Sequence, residues 1–316
     1  MKYRITQIIF AFSLLLPVST TAQGTLDSLA TLTGMDHAYP NWSPDGSKIT
    51  FMSDMLEDNN EIYVMNADGS GLKRLTANRW NDLAPVWSPD GDKILFESIR
   101  ESGKHDVYLM DADGSNLRNV TNHPSSLDNH PKFSPDGKWI VFNSSRDTPE
   151  DWSEDKYDYE IYEMKIDGTG LKRLTENLEG WDSYPSISPD GTKLLWRRIV
   201  PVAGRDRGNS EVFIAERDGS NPKNLSEHPG FDGYPAWSRD GSNIVFASAR
   251  NEMEERKPPK IFIMNPDGTD IRQVTKSSPD LADVRPWFSP DGRKIVFNRI
   301  YIGEGRTEIL TGILPD

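Results

Sequence analysis

One aspartate recurs at five places along the chain, three positions before a proline, and these carboxylates are the side chains most able to do chemistry. They are Asp82, Asp128, Asp182, Asp232 and Asp283. His37 takes the aligned place in the first copy. Converging carboxylates repel one another unless a cation, basic side chains or backbone donors neutralise them. The pattern therefore fits a calcium-like site or a receptor for a cationic group, or a set of aspartates that each cap their own loop.

Aromatic and basic side chains accompany these aspartates. The aromatic ones are Tyr39, Trp80, Trp181, Tyr184, Phe231 and Tyr234. Such rings can stack on a sugar or hold a peptide side chain, or they can pack between neighbouring structural units. His130 lies in the same kind of connection, and Arg197 and Arg198 begin a basic segment. Guanidinium groups bind carboxylates or sulfates well, although here they can also pair with the acidic segment 147–158.

Known catalytic motifs are missing from this sequence. It contains no G-x-S-x-G elbow, no H-E-x-x-H and no phosphate loop, and its five histidines are scattered. The absence of cysteine excludes disulfides, thiolate metal sites and a cysteine nucleophile. A formal charge of −13 argues against nucleic acid as a partner. A hydrophobic fraction of 35% argues against a multispan membrane protein.

A repeat predicts the fold. Ser-Pro-Asp-Gly occurs at residues 43–46, 88–91, 134–137, 188–191 and 289–292, and a sixth copy at 238–241 carries Arg239 in place of proline. A second motif, like Ile62–Thr76, follows the first five copies in chain order, which include the copy at 238–241. The first unit reads as strands A (Tyr39–Trp42), B (Lys48–Ser53), C (Glu61–Met65) and D (Leu72–Thr76), joined by tight turns. Six units of four antiparallel strands predict an all-β, six-bladed β-propeller rather than a sandwich or a solenoid.

The sixth unit has strands A, B and C only. Leu29–Thr33 matches the pattern of strand D, so we expect it to pair with Glu308–Ile313, complete the last blade and close the ring. Residues 23–316 are then one propeller domain. Its D–A and B–C connections share one face, the top face, and vary in length, so we expect ligands to bind there.

The first 22 residues show the pattern of a secretory signal peptide, with Lys2 and Arg4 before an apolar run and small residues before Gln23. The apolar run is shorter than a membrane span. We therefore expect a periplasmic or secreted protein without a transmembrane segment after cleavage.

Trp42–Phe51 and Ile62–Thr76 resemble the TolB-type β-propeller repeat, and the resemblance covers the whole predicted mature chain. It implies a six-bladed propeller. TolB belongs to the Tol–Pal envelope system and carries an α/β domain before its propeller, for which the segment after the predicted signal peptide is too short. The same repeat type occurs in oligogalacturonate lyases and in the propellers of prolyl oligopeptidases.

Two hypotheses follow. The first is an exported, non-enzymatic binding or scaffold protein, monomeric and without a cofactor, whose top face holds an envelope protein or an acidic glycan or peptide. The alternative is a metal-assisted polysaccharide (oligouronide) lyase at the channel mouth, with Arg197 or Arg198 neutralising a uronate and His130 or Tyr184 as the base.

Overall fold

The computed structural model describes residues 26–30, 37–56, 58–100, 103–148, 158–177, 180–202, 208–250, 258–276 and 279–314. Its strands form six sheets of four antiparallel strands each, and the described residues contain no helix. The predicted all-β, six-bladed propeller is thereby confirmed. The predicted signal peptide lies outside the described residues.

The first four sheets, or blades, follow the chain after one separate strand, β1 (Leu26–Ala30). The strands of blades one and two are β2 (His37–Trp42), β3 (Lys48–Ser53), β4 (Glu61–Asn66), β5 (Lys73–Arg74), β6 (Asp82–Trp87), β7 (Lys93–Ser98), β8 (Asp106–Asp111) and β9 (Arg118–Asn119). Those of blades three and four are β10 (Asp128–Phe133), β11 (Trp139–Ser144), β12 (Glu160–Lys165), β13 (Lys172–Arg173), β14 (Asp182–Ile187), β15 (Lys193–Val200), β16 (Asn209–Glu216) and β17 (Lys223–Asn224).

Blades five and six complete the ring. Their strands are β18 (Asp232–Trp237), β19 (Ile244–Ser248), β20 (Lys260–Met264), β21 (Arg272–Gln273), β22 (Leu281–Phe288), β23 (Lys294–Tyr301) and β24 (Arg306–Ile313). In the last sheet β1 lies beside β24, with Leu26 opposite Gly312. This strand ends at Ala30, earlier than the predicted Leu29–Thr33, whose last three residues lie outside the described residues. That this strand closes the ring stays a prediction.

The hydrophobic core is divided into six clusters, and each joins two neighbouring blades. One of them packs Trp42 and Phe51 of blade one against Val296 and Ile309 of blade six, so the first and last blades are in contact. Burial of these side chains removes apolar surface from water between blades, which is the main force that holds such a ring together.

The Ser-Pro-Asp-Gly turns are built by local hydrogen bonds. In the first, the Ser43 hydroxyl donates to the Asp45 carboxylate at 2.6 Å and accepts the Lys48 backbone N–H at 2.9 Å. Gly46 has a φ of +71°, in the left-handed region that glycine adopts without steric cost. These turns lie on the face of the propeller opposite the top face.

Candidate binding site at the central channel

The five repeated aspartates are completely buried at the start of the innermost strands, and each forms an ion pair with an arginine of its own blade. The pairs are Asp82–Arg100, Asp128–Arg146, Asp182–Arg198, Asp232–Arg250 and Asp283–Arg299. Arg198 and Arg299 bind their aspartates through two nitrogens, with Nε at 2.7 Å in both. The carboxylates are therefore neutralised within each blade and do not form a ring at the surface.

Strand register explains where each arginine lies. In blades four and six the arginine directly opposes the aspartate on the second strand. In blades two, three and five a serine takes that place, as Ser144 does opposite Asp128, and the arginine follows two residues later. Each guanidinium also lies over an aromatic ring of its blade, for example Arg146 at 5.0 Å from the centroid of Tyr162. The ring and the carboxylate together hold the cation.

Blade one contains neither the aspartate nor the arginine of this ion pair. His37 is buried where the other blades have aspartate, and its Nδ1 lies 2.6 Å from the Ser53 hydroxyl. The position two residues after Ser53, which is arginine in three blades, is Met55. Because blade one lacks both the carboxylate and the guanidinium, neither charge is buried there without its partner, which would destabilise the fold.

Burial raises the pKa of Asp82 and Asp232, against the opposing effects of the serine and arginine that bind each of them. Among the described residues, no group of three or more histidine, aspartate or glutamate side chains is placed to hold a metal ion. The structure thus gives the five aspartates a role inside the blades, where each is paired with an arginine.

The side chains that line the channel come two residues later in each innermost strand. They are Tyr39, Ala84, His130, Tyr184, Tyr234 and Arg285, and we call them the channel ring. All have a φ between +49° and +57°, and each precedes a proline. The pairing of the innermost strand with its neighbour shifts register here in all six blades. Such a bulge re-aims a side chain, here toward the channel.

The channel ring is a connected cluster. The Tyr39 hydroxyl lies 3.2 Å from the Tyr184 hydroxyl and 3.3 Å from His130 Nε2. The centroids of His130 and Tyr184 are 3.7 Å apart, and Tyr234 meets Tyr184 edge-on at 4.8 Å. These contacts join side chains from four different blades, so the ring is set in place before any ligand arrives.

Two guanidinium groups give this cluster a positive charge. Arg285 lies 4.2 Å from the centroid of Tyr39, and Arg197 lies 4.9 Å from that of Tyr184. Arg285 Nε finds no hydrogen-bond partner among the described residues. The nearby carboxylate, Glu97, accepts the backbone N–H of His130 at 2.6 Å.

His130, Tyr39 and Tyr184 are neutral near pH 7. Burial lowers the pKa of His130 to about 4, although Glu97 acts in the opposite direction. Burial also raises the pKa of the Tyr39 and Tyr184 hydroxyls. The ring encloses a cavity of about 50 Å³, enough for one or two water molecules. The site therefore presents cations and neutral hydroxyls, which suit a ligand with negative charge.

The remaining predicted residues lie around this cluster. Phe231 contacts Tyr234 at a centroid distance of 5.6 Å, so it belongs to the cluster. Trp80 is partly buried in an outer connection, with Arg79 at 4.7 Å from its ring, and Trp181 is likewise partly buried. Arg198 is committed to Asp182, whereas its neighbour Arg197 faces the ring.

Sequence reasoning missed Arg285. Its signal was nonetheless present, because it stands two residues after Asp283 and directly before Pro286, as Tyr184 stands relative to Asp182 and Pro185. Reading the residue before each proline as one column would have found it.

A family model described as the TolB beta propeller domain matches residues 15–103 and 177–299, more than half of the chain. A protein TolB homolog of Chlorobium luteolum is 31% identical over 151 residues, which are 48% of this chain and 31% of that protein. The chain spans less than half the length of the curated relatives it matches.

Solved structures show the same fold. A TolB-type protein from Agrobacterium tumefaciens superimposes with a TM-score of 0.65 at 22% identity, over 89% of this chain and 91% of that one. An oligogalacturonate lyase in complex with manganese gives a TM-score of 0.61 at 15% identity, over 93% and 97% of the two chains. No helix among the described residues is both long and apolar enough to cross a membrane.

Proposed function

Because this chain belongs to the TolB β-propeller family, we propose that it is a non-enzymatic binding protein of the cell envelope that holds an acidic segment of a protein or glycan at the channel ring. The family relationship and the predicted signal peptide support a periplasmic location. The observation that carries the proposal is the pair of guanidinium groups, Arg197 and Arg285, set among tyrosines at the top-face end of the channel.

The energetic case depends on preorganisation. Arg285 is held against Tyr39 and Tyr234, so its position costs little further conformational entropy on binding. Planar guanidinium groups bind carboxylates with two parallel hydrogen bonds, and neutral tyrosine hydroxyls can donate to the same oxygens. The protein has a formal charge of −13, so most of its surface repels an acidic ligand. The positive charge at the channel ring attracts such a ligand to this one place.

The lyase alternative finds less support in the same geometry. Its base would be His130 or Tyr184, but a tyrosine whose pKa is raised by burial is a poor proton acceptor at neutral pH. The Nε2 atom of His130 already contacts the Tyr39 hydroxyl. Arg198, one of the two arginines expected to neutralise a uronate, is held by Asp182 instead. The solved lyase is 15% identical to this chain, and a similarity at that level supports a shared fold but not a shared activity.

The test is calorimetric titration of the purified protein with hexagalacturonate and with a hexaglutamate peptide. We expect saturable binding of at least one, and a loss of about tenfold in affinity for Arg197→Gln, equivalent to roughly 1.4 kcal/mol. Arg79→Gln, an exposed arginine of the same face, is the matched control and should change affinity little.

Two results would overturn the proposal. One is the absence of binding by both acidic probes, and the other is equal affinity in Arg197→Gln and the unaltered protein. Appearance of unsaturated sugar products during the hexagalacturonate titration, followed by ultraviolet absorbance, would instead establish the lyase alternative.

A further inference from the structure

A second, larger cavity opens at the other end of the channel, between the Ser-Pro-Asp-Gly turns. It has a volume of about 370 Å³, within the range of small-molecule sites. We call it the vestibule. Its walls are mainly prolines of the turns and large side chains of the innermost strands, among them Trp42, Trp87, Phe133, Trp237, Trp287 and Phe288.

Lys132 separates the vestibule from the smaller cavity of the channel ring, because it lines both. It lies in blade three and its ammonium reaches the ring of Trp287 in blade six, 4.3 Å from the centroid. Its ammonium has no hydrogen-bond acceptor among the described residues. Burial lowers its pKa to about 8 while the Glu97 carboxylate favours the charged form, so the side chain is mostly a cation at neutral pH.

The Lys132 side chain is partly buried and its ammonium lacks an acceptor in the described part of the chain, so a bound anion would stabilise it. The rest of the lining contains no carboxylate that could do so. The charged side chains in this lining are the cations Lys132 and Arg239, which favours an anionic ligand.

Arg239 adds a second cation at the rim. It replaces the proline found in the other five turns, and its Nη1 donates to the Pro44 carbonyl at 2.8 Å, from blade five to blade one. The aspartates of the turns surround this rim outside the lining. Hydrogen bonds from Ser43 and Ser47 hold the pKa of one of them, Asp45, at about 2, so it stays negative. This acidic surround disfavours a polyanion but leaves room for a small ligand with a single charge.

We propose that the vestibule binds a small organic monocarboxylate, with its carboxylate on the Lys132 ammonium and its apolar body against the tryptophan and proline walls. The carboxylate belongs either to a free small acid or to the C-terminus of a polypeptide. The vestibule and the cavity of the channel ring share Lys132, but this proposal does not depend on the function proposed for the ring.

Titration followed by tryptophan fluorescence tests this proposal with two matched pairs of probes. Benzoate and benzamide represent free small molecules, and N-acetylphenylalanine and N-acetylphenylalaninamide represent a chain end. We expect each acid to bind at least about tenfold more tightly than its amide, since only the acid neutralises the ammonium. Preference for N-acetylphenylalanine over benzoate would indicate a chain end as the natural ligand, and the reverse a free acid.

The variants locate the site. Lys132→Met should lower the affinity for benzoate about tenfold or more, while Lys138→Met, an exposed lysine of the same blade, should leave it unchanged. Arg239→Pro restores the residue of the other five turns without touching the core, and should weaken binding by about twofold to fivefold. Arg285→Met should have no effect on benzoate. Equal binding of acid and amide, or unchanged affinity in Lys132→Met, would overturn the proposal.

Discussion

Two sets of positions in the innermost strands lie only two residues apart and behave in opposite ways. The first set is aspartate in five blades and histidine in one, and it is buried and paired within each blade. The second set, the channel ring, differs between blades and faces the channel with its charges only partly compensated. In a repeat protein, a residue kept in nearly every unit serves the unit, whereas a varied position at a shared opening can form one site.

The largest expected effect is on stability, from breaking one pair of the first set. Asp128→Ala leaves Arg146 partly buried without its carboxylate, so we expect a loss of about 3–5 kcal/mol in the free energy of unfolding, measured by chemical denaturation. The double variant Asp128→His with Arg146→Met copies blade one and should lose clearly less. A double variant as unstable as the single one would show that the ion pair is not the reason for the loss.

The second largest expected effect is a pH dependence of the free energy of unfolding, caused by His130 of the channel ring. The pKa of His130 is about 4 in the folded protein against an ordinary value of 6.5, because burial disfavours its charged form. The unfolded chain therefore takes up a proton first, and stability falls as the pH drops from about 6.5 to about 4, by roughly 2–3 kcal/mol. Denaturation curves across this range should show that loss in the unaltered protein and not in His130→Gln. Parallel pH profiles for the two proteins would refute it.

The smallest effect concerns the backbone of the channel ring. Ala84 has a φ of +49°, which costs an L-residue about 1 kcal/mol that glycine avoids. Ala84→Gly should therefore leave stability unchanged or raise it by about 0.5 kcal/mol. The control Ala236→Gly, in a buried strand without positive φ, should lower it by about 1 kcal/mol or more. A similar loss in both variants would mean that Ala84 is not strained.

The sequence predicted the architecture well because turn residues report local backbone geometry. Strand β3 has the predicted bounds, and β4 extends one residue beyond them, to Asn66. The short outer strands were predicted too long, since β5 spans only Lys73–Arg74. The backbone N–H groups of Leu75 and Thr76 both point to the Ile62 carbonyl, so the regular ladder ends although contact with β4 continues.

The site was predicted only in part. The aspartates were found, yet their arginine partners 16 or 18 residues later depend on strand register, which a list of motifs does not contain. The bulge that turns Tyr184 and Arg285 toward the channel also has no signature of its own, apart from the proline that follows each of them. Lys132 was missed because its partner, Trp287, lies across the ring.

The most direct test of the account uses two single variants in one strand. Asp283→Asn alters the set of buried, paired aspartates, and Arg285→Met alters the channel ring. The free energy of unfolding is measured for both variants. Affinity is measured with whichever of hexagalacturonate and hexaglutamate binds the unaltered protein, at low temperature where both variants are folded. We expect Asp283→Asn to lose stability and keep its affinity. Arg285→Met should keep its stability within about 1 kcal/mol and lose about tenfold in affinity. Loss of affinity in Asp283→Asn with full affinity in Arg285→Met would contradict the division between a structural set and a binding set.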